Sequence, residues 1–160
     1  VLVHDQQPAR RASGAALEHA GKDAHGVGLA ALAGETRGAG AAALDVAPDP
    51  YDRASYDGQS GRGAQAVEFV TPGIASEPLG HYLARRDPEA HGRMVDGIGQ
   101  QPHLRFADYT NRGFVSLEVN AQRVEASWHF VAAPTDPQSR VEFAHRETVR
   151  TGENRLSRPV

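Results

Sequence analysis

Eight histidines are the first residues of this sequence whose chemistry could do work: His4, His19, His25, His81, His91, His103, His129 and His145. Imidazole ligates metals and exchanges protons near neutral pH. A helical zinc pair needs a repeat such as HExxH, and no two of the eight have that spacing. Most are therefore read as surface or half-buried side chains. His103 stands apart because it follows Pro102 at the entry to a strand, a position from which a side chain can reach a pocket. Asp45, Asp49, Asp52 and Asp57 could offer oxygens to a hard cation, yet they lack the alternate positions and closing Glu of a calcium loop. The run reads as an acidic, solvated turn. Gly34, Gly38 and Gly40 follow neither glycine order of the phosphate-cradling loops, which argues against nucleotide binding. Ser76, in Gly73-Ile74-Ala75-Ser76, is not on a GxSxG elbow, so a serine hydrolase has no support.

These residues must be positioned by elements that the sequence pattern predicts unevenly. Residues 1–47 are rich in Ala and Gly and poor in large apolar side chains, whereas residues 66–149 hold most of the aromatics. Pro8 starts a helix that runs past Leu17 to a stop near Gly21, with Gly14 weakening it by about 1 kcal/mol relative to Ala. Val27 to Ala33 reads as a buried strand between Gly26 and Gly34. Residues 45–63, dense in Pro, Gly and Asp, read as an exposed loop. Ala66 to Val70 is a strand stopped by Thr71-Pro72-Gly73, and Leu79 to Leu83 a short helix ending before Asp87-Pro88. Residues 87–101 look like loop again. Four strand-length segments follow, at 104–108, 114–119, 124–131 and 141–149, and predict an antiparallel meander over roughly 104–149. Val115, Leu117 and Val119 alternate with polar residues, as do Val124, Ala126, Trp128 and Phe130, so each strand has one apolar face.

The 160 residues, 39% apolar and 23% charged, suit one domain with a modest core. The absence of cysteine removes disulfides, thiolate nucleophiles and Cys-based zinc sites. Seventeen Lys and Arg against twenty Asp and Glu leave no basic excess to compete for a phosphate backbone, so nucleic-acid binding is not expected. No apolar run approaches the roughly 18 residues of a membrane span, and no signal peptide is visible. A start at Val1 rather than Met is what a fragment or processed product would have.

Taken in order, several segments resemble the C-terminal part of PhoD-like alkaline phosphatases. They are Pro48-Asp49-Pro50-Tyr51-Asp52, the run from Ala66 to Ser76, Pro102 to Asp108, Arg112-Gly113-Phe114 and Arg123 to Val131, with Thr151 to Leu156 fitting the family's tail. The resemblance covers about 110 residues of this chain. It implies an α+β fold, the C-terminal part of a metallophosphoesterase-type β-sandwich flanked by helices, carried here by a single partial domain over 1–160. Within it, residues 1–47 would be a helix-strand remnant of the metal-site region and 66–160 the β-rich part. It also implies hydrolysis of phosphate monoesters and diesters, Ca2+ and Fe3+ as cofactors, an extracellular or periplasmic location, and the remainder of the same polypeptide upstream as partner. Metal ions in such a site act as Lewis acids and hold nucleophile and phosphate in line.

The early part of the chain extends the comparison to the metal motif. His4-Asp5-Gln6-Gln7-Pro8-Ala9 is similar to the family's Trp-Asp-Gly-Tyr-Pro-Ala segment, which places Asp5 near the site. The family's Gly-Asp-Thr-His-Asn-Ala-Trp would fall on Gly34-Glu35-Thr36-Arg37-Gly38-Ala39-Gly40. Glu35 then takes the Asp position and keeps a carboxylate one methylene longer, a change that matters where metal distances hold to about 0.2 Å. Arg37 takes the His position and is not expected to ligate, because a guanidinium keeps its proton and has no lone pair for a metal. Thr36 and His103 would lie near the same site. The chain alone is therefore expected to be catalytically incompetent, with no metal bound and its catalytic residues unassigned. Two other classes stand beside this reading: a non-catalytic descendant serving as a binding or structural module, and a generic α+β domain with accidental similarity.

Overall fold

The computed structural model describes residues 2–3 and 40–158. The helix expected after Pro8, the strand expected over 27–33, and His4, Asp5, His19, His25, Glu35, Thr36 and Arg37 lie outside the described residues. Within them the chain is α+β, with two antiparallel sheets and two helices. The elements in order are β1 (Leu2–Val3), β2 (Ala41–Val46), β3 (Ala66–Val70), α1 (Leu79–Arg86), α2 (Pro88–Ile98), β4 (Leu104–Asp108), β5 (Gly113–Val119), β6 (Arg123–Val131) and β7 (Val141–Arg150). Among the described residues no helix is long and apolar enough to cross a membrane.

One sheet has the strand order β1-β3-β2-β4 and the other the order β5-β6-β7. The expected meander of four strands is thus a meander of three. Leu104–Asp108 forms a strand as its residues suggest, but it leaves the meander and pairs with β2, Ala43 facing Phe106 and Ala41 facing Asp108. The reason lies in β2, whose small side chains Ala41, Ala42 and Ala43 are almost wholly buried between β3 and β4. A strand covered on both faces needs no polar face and shows none of the alternation by which strands are recognised.

Register puts one apolar face of each sheet against the other. Ala43, Val67 and Phe69 from the first sheet meet Ala126, Trp128 and Val149 from the second, and Leu156 of the C-terminal tail closes the cluster. Trp128 is the centre of it. Its ring meets Phe69 edge-to-face at 5.8 Å and Phe106 at 5.2 Å, and its indole N–H donates to the Val70 carbonyl at 2.9 Å. A shift in pairing between Trp128 and His129 turns the start of β7 over, so Val141 and Phe143 stand exposed on the outer face while Val149 is buried. Bulges of this kind re-aim side chains without ending the ladder.

Residues 87–101, expected as loop, contain α2. Its start is built from Asp87, whose carboxylate accepts from the Ala90 N–H at 2.9 Å, and from Pro88 in the first turn. Asp at the cap and Pro just inside satisfy orphan donors and pre-set φ, so the dipeptide that closes α1 also opens α2. None of the residues of α2 is buried.

Candidate functional site

Asp45 is expected from the sequence to be a solvated turn acid, and the structure corrects this. It is the fifth residue of β2, paired with Val67, and its side chain is 0% exposed. A carboxylate so placed must be fully bonded or neutralised. Its Oδ1 accepts from the Leu156 N–H at 2.7 Å, and its Oδ2 accepts from the Tyr56 hydroxyl at 2.9 Å and from Arg158 Nη2 at 2.7 Å. Its own N–H donates to the His103 carbonyl at 3.0 Å. One buried carboxylate therefore joins β2, the 47–65 loop and the tail, while the backbone N–H of the same residue holds the entry to β4.

The other three acids of the run do behave as turn residues. Asp49 Oδ1 accepts from the N–H groups of Tyr51 and Asp52, and Asp52 Oδ1 from that of Ala54. Asp57 accepts from the Gln59 N–H at 3.0 Å and from the Ser60 hydroxyl, bonds that hold its carboxyl below the usual range. Each oxygen so used orders the backbone around it. The loop is consequently well folded, and it carries Tyr56, 1% exposed, into the interior. Gly63, at φ +92, makes the return to β3, since a Cβ there would fall 1.8 Å from the Ser55 carbonyl oxygen.

His103 lies half-buried at the end of β2 that holds Asp45. Its ring meets Tyr51 edge-on at 6.3 Å, and the Tyr51 hydroxyl is bonded to Gln101. Burial lowers its pKa below the ordinary histidine value, with Asp45 pulling the other way. The neutral imidazole is favoured, so its stabilising contribution is present above the unfolded pKa and is lost as pH falls through the folded one. Gly40 stands at the opposite end of β2. Gly40 abuts the Asp108 carbonyl and the Tyr109 ring, and Ala41 pairs with Asp108. Four residue steps of strand separate Ala41 from Asp45, a span of about 13 Å.

The tail was expected to matter only through the resemblance of Thr151 to Leu156, and it turns out to complete this site. After the turn at Gly152, the Ser157 N–H donates to the Thr148 carbonyl at 2.8 Å, Arg155 Nη1 donates to the Ser60 carbonyl at 2.6 Å, and Leu156 is 0% exposed. No local pattern in the sequence announces that Arg158 and Asp45, 113 residues apart, form an ion pair.

Among the described residues no three His, Asp or Glu side chains converge so as to hold a metal ion. Of the described histidines besides His103, His145 is bonded to Glu147 at 3.0 Å and stacked on Phe106 at 4.1 Å. His129 is stacked on Phe114 and within 3.2 Å of the Ser116 hydroxyl. Neither a family model, a curated protein nor a solved structure matches this chain.

Two buried tyrosines give the described region a defined alkaline limit. Burial, and then the hydrogen bond and charge of Asp45, push the Tyr56 hydroxyl up to about 12, and burial alone pushes Tyr109 up to about 12. An unfolded tyrosine ionises near pH 10. The raised folded values mean that both contributions are complete below about pH 10 and are lost as pH rises through about 12. Urea midpoints are expected to fall steeply across that window and less steeply in Tyr56→Phe. A midpoint that stays flat would contradict the burial of both hydroxyls.

Proposed function

We propose that this chain is the C-terminal part of a PhoD-like metallophosphoesterase, in which residues 40–158 serve as the scaffold of a phosphate ester hydrolase and do not themselves carry out the chemistry. One observation carries the reading. The segments on which the resemblance rests, 66–76, 102–108 and 123–131, meet at one point: Phe69, the Val70 carbonyl, Phe106 and Trp128 are in mutual contact or one hydrogen bond apart. The family's scaffold requires these strands to share one core, and they do.

The donor set available in this chain does not fit the family's metals. Glu35 offers one carboxylate, Arg37 offers no lone pair, and the described residues bring no group of ligands together. No step is therefore derived through Ca2+ or Fe3+. A non-catalytic role as a binding or structural module is the second reading, favoured by the Arg37 that the resemblance aligns with the family's His.

The test is kinetic. With Ca2+ and Fe3+ supplied, the 160-residue chain is expected to show no turnover of an aryl phosphodiester. In the complete reading frame the paired changes Glu35→Asp and Arg37→His are expected to raise turnover above that of the unchanged protein. No gain would remove residues 34–40 as the metal motif and leave the binding-module reading in its place.

A further inference from the structure

The edge of a sheet presents unpaired backbone groups, and folded proteins blunt it with short strands, bulges, charges or a covering segment. Three of the four edges in this fold are treated in that way. The first sheet ends on β1, two residues long, and on β4, whose pairing is bulged at Ala43–Leu44 and which carries the exposed Arg105. In the second sheet β7 is bulged opposite Trp128–His129, and the tail covers its edge through the Ser157 N–H on the Thr148 carbonyl.

The fourth edge, β5, has none of these devices. Gly113–Val119 pairs with β6 in unbroken register and contains neither Lys nor Pro. The Arg112 carbonyl accepts from the Val131 N–H, and the Asn120 N–H donates to the Arg123 carbonyl, so positions 112 and 120 face β6. Alternate residues of an antiparallel ladder point to opposite sides, which directs the N–H and carbonyl groups of Val115, Leu117 and Val119 away from β6. Among the described residues no other backbone group bonds to them. Val119 is 67% exposed although it lies on the same strand face as Val115 and Leu117, which pack against the core.

Charge on the opposite face of β5 is also uncompensated. Glu118 stands directly across from Glu125, whose carboxylate already pairs with Arg123 at 3.5 Å and Arg146 at 3.2 Å. Like charges so placed are destabilising, and Glu118 has no ion-pair partner among the described residues. Arg112, just before the strand, donates its Nε–H to the Ser76 carbonyl at 2.9 Å and likewise has no carboxylate in ion-pair contact among the described residues.

We infer that the free edge of β5 is a self-association site, where a second copy of this chain adds its own β5 antiparallel about a two-fold axis at Ser116. In that register the outward residues Val115 and Leu117 of the two copies exchange backbone hydrogen bonds, and Glu118 faces Phe114 of the second copy. Val119 gains Val115 of the second copy as a diagonal neighbour, and Glu118 gains Arg112, each contact occurring twice by symmetry. Any extended peptide could satisfy the backbone groups; the pairing of Glu118 with Arg112 is what selects a second copy. The two three-stranded sheets become one continuous sheet with a protected β7 at each end, so association stops at the dimer. The site does not depend on the phosphoesterase reading.

Sedimentation equilibrium of the 160-residue chain is expected to show a reversible monomer–dimer equilibrium. Amide exchange at Val115 and Leu117 should slow as protein concentration rises, while Ser116 and Glu118, which face β6, stay protected throughout. Glu118→Arg separates association from folding. Across from Glu125 the new guanidinium relieves a like-charge pair, so the urea midpoint of the dilute monomer should rise. Across the dimer it meets Arg112, so the dissociation constant should rise about tenfold. Ser116→Lys sets two ammonium groups against each other at the axis and should weaken the dimer without involving Glu118. A chain that stays monomeric to millimolar concentration, exchange at Val115 and Leu117 that ignores concentration, or a dimer equally tight in both variants would overturn the site.

Discussion

Replacing Trp128 with alanine is expected to destabilise the described domain by about 3–5 kcal/mol, the cost of emptying a large aromatic from a packed core. The indole is 0% exposed and is the largest side chain where the two sheets meet, so its loss opens a cavity that neither sheet can close alone. Phe69 and Phe106 each lose an aromatic partner, and the Val70 carbonyl loses its donor. Trp128→Phe separates these effects. It keeps much of the ring volume but not the N–H, and should cost clearly less than the alanine variant, with about 1 kcal/mol of it attributable to the hydrogen bond. Both values come from urea unfolding followed by far-UV circular dichroism, because Trp128 is the sole tryptophan and its fluorescence disappears with it. A cost under about 1 kcal/mol for Trp128→Ala would mean that the sheets do not depend on each other through this residue.

The contrast between what the sequence announced and what it concealed follows from burial. β5, β6 and β7 each have one covered face, so their apolar residues alternate and the strands can be read directly. The same rule identified β4 as a strand and could not say with which neighbour it pairs, because a partner is set by tertiary packing. β2 escaped notice altogether, since Ala41-Ala42-Ala43 between Gly40 and Leu44 looks like a continuation of the Ala/Gly-rich stretch before it. Asp87-Pro88 was read as an end when it is also a beginning, and Gly92, Gly97 and Gly99 lent α2 the look of a loop. His103 was singled out as a strand-entry residue and is one, at the Asp45 end of β2. The site around it was invisible because its anion, Asp45, was hidden in a run of turn acids and its cation lies in the tail.

That concealed pair is the second large effect expected from substitution. Asp45→Ala should cost about 3–5 kcal/mol, since it leaves the Arg158 charge buried without compensation and strips the Leu156 N–H and the Tyr56 hydroxyl of their acceptor. Arg158→Met should also destabilise, because Asp45 keeps two neutral donors but loses its counter-charge. The double variant Asp45→Leu with Arg158→Met decides what the pair is for. Buried ion pairs replaced whole by apolar side chains are often close to neutral, so its loss should be smaller than the sum of the two single losses by several kcal/mol. Thermodynamic recovery need not restore order. The Asp45 carboxylate ties the 47–65 loop and the tail to one strand by directional bonds, and apolar contact specifies none of those directions. Amide exchange in the double variant is therefore expected to stay faster than in the parent at Tyr56 and Leu156 even where the urea midpoint has returned. Equal protection would mean that the node contributes stability alone; faster exchange assigns it the task of holding the tail against the sheet.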